Sequence, residues 1–185
     1  MAELDHLRVA VLATDGFEES ELIEPVKALK EAGAKVDILA PRKGEIQAFR
    51  HFDKTLKVPV DRTLKEAKAE SYDALLLPGG VLNADALRVL PEARSFIQRI
   101  DAGGKPIAAI CHAPWELISA GIVKDRLLTS YPTIQDDVRN AGGFWVDREV
   151  AVDQDLVTSR QPSDLPAFTK QMIRIFARGP QPVRR

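Results

Sequence analysis

The amino-acid sequence predicts a doubly wound α/β fold, with a mainly parallel sheet and helices on both faces. Four short runs carry most of that expectation: Leu7 to Ala13, Lys35 to Ala40, Tyr72 to Pro78 and Ile107 to Ile110 are apolar and nearly continuous, as strands buried on both faces are. Segments of helical periodicity separate them, so strand, helix and strand alternate as right-handed crossovers require. Three of the runs lead into acids, glycines or a cysteine, and in such a sheet ligands bind outside the carboxyl ends of the strands.

Leu7 to Ala13 is the first strand, and Thr14-Asp15-Gly16-Phe17-Glu18-Glu19 turns the chain with acids. Leu22, Val26 and Leu29 then recur at helical spacing up to Gly33, which stops the helix. Pro25 does not fit a regular helix interior, so the helix is expected to begin near Glu24 or to kink there. Lys35 to Ala40 is the second strand, closed by Pro41. Glu45 to Phe49 and Leu56 to Val60 read as a small hairpin excursion, with Pro59 favouring an edge. Thr63 to Ala69 is expected as a short helix. The third strand, Tyr72 to Pro78, meets Gly79-Gly80. A helical turn from Asn83 to Val89 follows, then a helix from Pro91 to Ala102 with Pro at its start and Gly103-Gly104 past its end. After the fourth strand come a helix from Pro114 to Ala120, a short strand Leu127 to Ser130 and a helix Ile134 to Ala141. A hairpin of Val150 to Val152 with Leu156 to Ser159 and an amphipathic helix Leu165 to Ala177 complete the pattern. Residues 1–185 are expected to form one domain, with a flexible basic and proline-containing tail over roughly 178–185.

Composition removes several function classes. The 26 basic and 27 acidic residues leave a net charge of −1, which gives no electrostatic footprint for nucleic acid. No run approaches a membrane span, and Glu3 and Asp5 stand where a signal peptide carries basic residues, so a cytoplasmic protein is expected. One cysteine cannot form an internal disulfide, and with three histidines beside it a closed zinc site is not expected. No cofactor is expected either: the first strand leads into Glu18 and Glu19 instead of a phosphate-cradling loop, and no P-loop or dinucleotide motif occurs.

The single cysteine, Cys111, lies between the strand Ile107 to Ile110 and the helix that begins at Pro114. A strand, a sharp turn and a helix form a nucleophile elbow, which predicts a reactive thiol with a depressed pKa. Glu18, after the first strand, is the candidate acid for a hydrogen bond to the Cys111 sulfur, which requires a proton shared between the two. Gly79-Gly80 allows close backbone approach, so that its N–H and that of His112 are candidates for an oxyanion hole. His112 is a candidate base or proton donor, and Asp85 a candidate to orient it. His6 and His51 read as incidental. A glutamine amidotransferase triad is excluded, because no histidine follows His112.

These residues carry a resemblance. Asp15-Gly16-Phe17-Glu18-Glu19-Ser20-Glu21-Leu22, Ala74-Leu75-Leu76-Leu77-Pro78-Gly79-Gly80, Ala109-Ile110-Cys111-His112-Ala113-Pro114, Thr129-Ser130-Tyr131-Pro132 and the stretch from Thr158 to Phe168 look like the PfpI family of intracellular cysteine peptidases and stress proteins, in the superfamily of the Parkinsonism-associated deglycase. The resemblance covers roughly Leu7 to Phe176. It implies a flavodoxin-like fold with a class I glutamine-amidotransferase-like core. It also implies Cys111 as nucleophile, Glu18 as its acid, His112 as its partner and Gly80 with His112 as oxyanion-hole donors. In PfpI-like oligomers an acid shortly after the Gly-Gly comes from a neighbouring subunit, and Asp85 falls at that place, one methylene shorter than the usual Glu. Dimers or hexamers are implied. Ala113 stands where Gly is common, with Trp115 close behind.

The expected function is a cofactor-independent thiol hydrolase that acts on glyoxal or methylglyoxal, or on their early glycation adducts with protein groups. The nearest alternative is an intracellular cysteine peptidase. An alternative of another class is a redox-sensing or holdase stress protein in which Cys111 is oxidised.

Overall fold

A computed structural model of the chain describes residues 3–181. In chain order it comprises β1 (Arg8–Leu12), β2 (Phe17–Glu18), α1 (Glu19–Glu31), β3 (Lys35–Ala40), β4 (Glu45–Arg50), β5 (Asp53–Pro59) and β6 (Arg62–Thr63). Next come β7 (Ala74–Leu77), α2 (Val81–Arg88), α3 (Pro91–Ala102), β8 (Ile107–Ile110), α4 (Pro114–Ser119) and β9 (Leu127–Leu128). The last elements are α5 (Gln135–Asn140), β10 (Phe144–Trp145), β11 (Ala151–Asp153), β12 (Leu156–Ser159) and α6 (Leu165–Phe176).

The main sheet has the strand order β11-β12-β8-β7-β1-β3-β6, parallel throughout except for β11 against β12. Side chains alternate across it. Val9, Val11, Leu76 and Ile110 join the core under α1 and α6, while Ala10, Leu12, Leu75 and Ile107 join the core under α2 to α5. Burial on both faces is the reason these strands are nearly all apolar. Because β1 connects to β3 on one side and β7 pairs with it on the other, the chain reverses direction between β1 and β7, and a crevice opens at their carboxyl ends.

The flavodoxin-like order agrees with the expected fold, and four local readings change. Helix α1 starts at Glu19 and runs through Pro25, whose missing N–H leaves the Glu21 carbonyl without its partner four residues on. Where a helix was expected over Thr63 to Ala69, residues 64–66 form a turn: the Thr63 N–H donates to the Glu66 carboxylate, and Thr63 Oγ1 accepts from the Glu66 N–H. Two-residue strands β2 and β10 pair in parallel with β4 and β9. Gln181, placed in the flexible tail by sequence, donates its N–H to the Gly104 carbonyl at 2.8 Å. The rest of the expected tail, residues 182–185, lies outside the described residues. Among the described residues, no helix is long and apolar enough to cross a membrane.

Among the buried polar side chains, one acid lies on α4, inside the core. Glu116 on α4 is fully buried, neither of its carboxyl oxygens has a hydrogen-bond partner, and burial pushes its pKa well above the usual carboxylate range. The protonated form is therefore the stable one inside the fold. That contribution is full below the unfolded pKa near 4.5 and is lost as pH rises. Glu116→Gln should leave stability at pH 4 nearly unchanged and raise it at pH 8, read as a shift in the urea midpoint.

Candidate active site

Cys111 follows β8 directly and adopts φ +64°, the left-handed region that an L side chain enters only under constraint. Two backbone bonds impose it: the Cys111 N–H donates to the Ser159 carbonyl at 3.0 Å, and the Cys111 carbonyl accepts from the Tyr131 N–H at 2.8 Å. The elbow turns the sulfur toward the crevice, where it remains only 7 % exposed.

The carboxyl that lies against this sulfur belongs to Glu21, not to Glu18. Glu21 sits on the inward face of α1, in phase with Pro25 and Leu29, and is completely buried. Its carboxyl faces the Cys111 thiol and the Gly79 N–H, sealed from water and without a hydrogen bond of full geometry. Burial, and then the charge of Glu18, push the Glu21 pKa up to about 8. Burial, and then the Glu21 carboxylate, push the Cys111 thiol up well above its ordinary value, opposed by the N–H groups of Gly80 and His112. The depressed thiol pKa expected from the elbow is thus reversed, because desolvation and a neighbouring acid outweigh two backbone donors. Both groups hold protons at neutral pH. When the pair loses one, the remaining proton is shared across the contact.

Glu18 stands on the other side of the crevice, where its Oε2 accepts the His51 N–H at 3.1 Å. It lines the same cavity as Cys111 without reaching the sulfur. The chain turns from β1 into the two residues of β2 before α1 begins, so Glu18 lies on the cavity wall and Glu21, three residues later on α1, faces inward.

His112 places Nδ1 3.2 Å from the Cys111 sulfur. Its ring stacks on Tyr131, with centroids 4.7 Å apart, and meets Trp115 edge-on at 5.3 Å; burial lowers its pKa, which favours the neutral ring. Asp85 is exposed on α2 and is not among the residues that line the cavity. Among the described residues no hydrogen bond or ion pair joins it to His112. Its neighbours Val81 and Leu82 do line the cavity, which measures about 620 Å³ and is walled by Phe49, Phe52, Tyr131 and Pro162.

The glycine pair is required by space. A Cβ on Gly79 would stand 2.2 Å from Glu21 Oε2 and 2.5 Å from the Cys111 Cβ, and one on Gly80 would stand 2.3 Å from the Gly16 carbonyl oxygen. Gly80 also has φ +94°. Gly79→Ala should therefore part Glu21 from Cys111 and lower stability by about 2–4 kcal/mol. A thermal melt and an activity assay check both effects. Among the described residues, no group of three or more His, Cys, Asp or Glu side chains is placed to hold a metal ion.

The model of the DJ-1/PfpI family matches residues 7–175. The chain belongs to that family. A deglycase of Thermococcus kodakarensis is 40 % identical over 170 residues, covering 92 % of this chain and 99 % of the relative. General stress protein 18 of Bacillus subtilis is 39 % identical over 170 residues, covering 91 % and 97 %. The solved structure of Drosophila melanogaster DJ-1beta superposes with a TM-score of 0.85 at 28 % identity, over 92 % of this chain and 90 % of that one.

Within this DJ-1/PfpI chain, the structure brings Cys111, His112 and Gly79-Gly80 together, and sets beside them Glu21, which sequence reasoning did not single out. A signal for it existed. An acid in phase with Pro25 and Leu29 on an otherwise apolar helix face is a buried acid.

Proposed function

We propose that this chain is a cofactor-independent thiol hydrolase of the deglycase type, acting on methylglyoxal or glyoxal and on their early adducts with protein groups. The observation that carries the reading is the contact of Cys111 with a buried, protonatable Glu21 beside the two N–H groups of Gly80 and His112. Once the pair has lost a proton, the reactive arrangement has the charge on sulfur and the remaining proton on Glu21. Sulfur then adds to the aldehyde carbon, the carbonyl electron pair moves onto oxygen, and Glu21 supplies the proton. On an amine adduct the same carbon is attacked, the C–N bond breaks, and the amine leaves with a proton. Either route gives a hemithioacetal on Cys111. A proton shift from that carbon to the adjacent carbonyl carbon turns it into a thioester of a 2-hydroxy acid, and water releases the acid and the thiol. The oxidation of one carbon is balanced by reduction of its neighbour, so no external oxidant is needed. Neutral His112 is the group placed to relay these protons.

The peptidase alternative is favoured by the adjacency of His112 to Cys111, but it needs an oriented histidine, and among the described residues no carboxylate hydrogen-bonds the His112 ring. Incubating the protein with methylglyoxal, with methylglyoxal-treated Nα-acetyl-argininamide and with a casein digest separates the readings. Cys111-dependent release of a 2-hydroxy acid is expected. Cys111-dependent peptide cleavage without it would replace this reading by the peptidase, and neither activity together with a gain of two oxygens under mild peroxide would replace it by the redox sensor.

We also propose that the chain acts as a homo-oligomer, in which Asp85, exposed on α2 and off the lining of its own chain's cavity, meets the His112 of another subunit. Light scattering that gives a monomer at working concentration would remove Asp85 from the site.

A further inference from the structure

We propose that Glu18 makes the cavity selective for adducts carried on a guanidinium, the arginine side chain, over adducts carried on anionic groups. The inference deepens the deglycase reading and rests on it.

Charge around the cavity is one-sided. Glu18 puts a carboxyl on its wall, and among the described residues neither Lys nor Arg lines it. Arg50, the basic residue in the adjoining groove, is paired to Glu19 at 3.0 Å. Glu18 is only 9 % exposed, its Oε2 is held by the His51 N–H, and its Oε1 accepts no hydrogen bond from the described residues. A fixed carboxylate with one free oxygen, in a cavity also lined by the rings of Phe49, Phe52 and Tyr131, is complementary to a planar, weakly hydrated cation. A phosphate or carboxylate in the same volume would meet the Glu18 carboxylate and no Lys or Arg side chain. The guanidinium is favoured over an ammonium because it stays charged when an aldehyde adds to one of its nitrogens, whereas an alkylamine that becomes a carbinolamine holds its proton less firmly.

Glu18 is thus a specificity residue, and the test reads occupancy apart from turnover. Alkylation of Cys111 by iodoacetamide is followed by intact mass in the presence of Nα-acetyl-argininamide or of Nα-acetyl-citrullinamide, its neutral isostere. The cation is expected to protect at about tenfold lower concentration, with the difference shrinking in about 0.5 M salt. Glu18→Gln should erase the difference, and Glu18→Asp, which keeps the charge, should retain its sign. Equal protection by the two probes in the wild type, or an unchanged difference in Glu18→Gln with a normal thermal melt, would overturn the proposal. In parallel, the ratio of kcat/KM for the methylglyoxal adduct of Nα-acetyl-argininamide to that of a guanine nucleotide should fall in Glu18→Gln through KM. Selective protection without release of 2-hydroxy acid from either adduct would leave the recognition standing and remove the hydrolase reading. Turnover with no selectivity would do the reverse.

Discussion

Cys111→Ser should lower hydrolysis of methylglyoxal and its arginine adduct at least about a thousandfold while leaving the fold in place. Serine is nearly isosteric with cysteine, and the backbone bonds that impose φ +64°, to Ser159 and from Tyr131, do not involve the side chain. What disappears is the one atom able to carry negative charge within reach of the N–H groups of Gly80 and His112. A hydroxyl there is a far weaker acid than a thiol, and no partner within reach is basic enough to compensate. Turnover by stopped assay, with near-ultraviolet circular dichroism of the same samples, separates loss of chemistry from loss of structure. Activity within tenfold of wild type would place the chemistry elsewhere.

Glu21→Gln is expected to act in opposite directions on activity and on stability. The amide cannot pass a proton to or from sulfur, so turnover should fall by roughly a hundredfold to a thousandfold. In the wild type the rate should rise with pH as the pair loses its first proton near pH 8; in Glu21→Gln that inflection should disappear and leave the titration of the thiol alone. Stability follows from the sign of the shift. The pKa of Glu21 is raised from 4.5 to about 8, so its neutral form stabilises the fold fully below about pH 4.5, and that contribution is lost progressively up to about pH 8. At pH 8 the loss is roughly 4 kcal/mol, and Glu21→Gln, which does not titrate, escapes it. Urea unfolding at pH 4.5 and pH 8 measures the difference. A variant that loses activity and also loses stability at the higher pH would mean that Glu21 is ionised and paired in the native protein.

The strands were legible because burial on both faces turns them into short unbroken apolar runs, and the elbow was legible because one such run ends on the only cysteine. Elements of two residues, β2 and β10, have no period to read. Pro25 concealed the true start of α1: a ring that costs one hydrogen bond is tolerated when Leu22, Val26 and Leu29 anchor the helix to the core. That error carried into the site. With the helix thought to start near Glu24, Glu21 had no face, and Glu18 in the preceding turn was chosen instead. The thiol pKa was misjudged for a related reason. Sequence shows donors near an elbow but not how completely Glu21 and Gly79 close around the sulfur, and desolvation decides the direction.

The most direct test of Cys111 as a nucleophile is rapid-quench intact-mass analysis during turnover of methylglyoxal at pH 8. A transient adduct of one 2-hydroxyacyl group, mapped to Cys111 and discharged as free acid appears, is the expected result. Steady release of acid with the protein mass unchanged throughout, and the same rate after iodoacetamide has blocked Cys111, would contradict it.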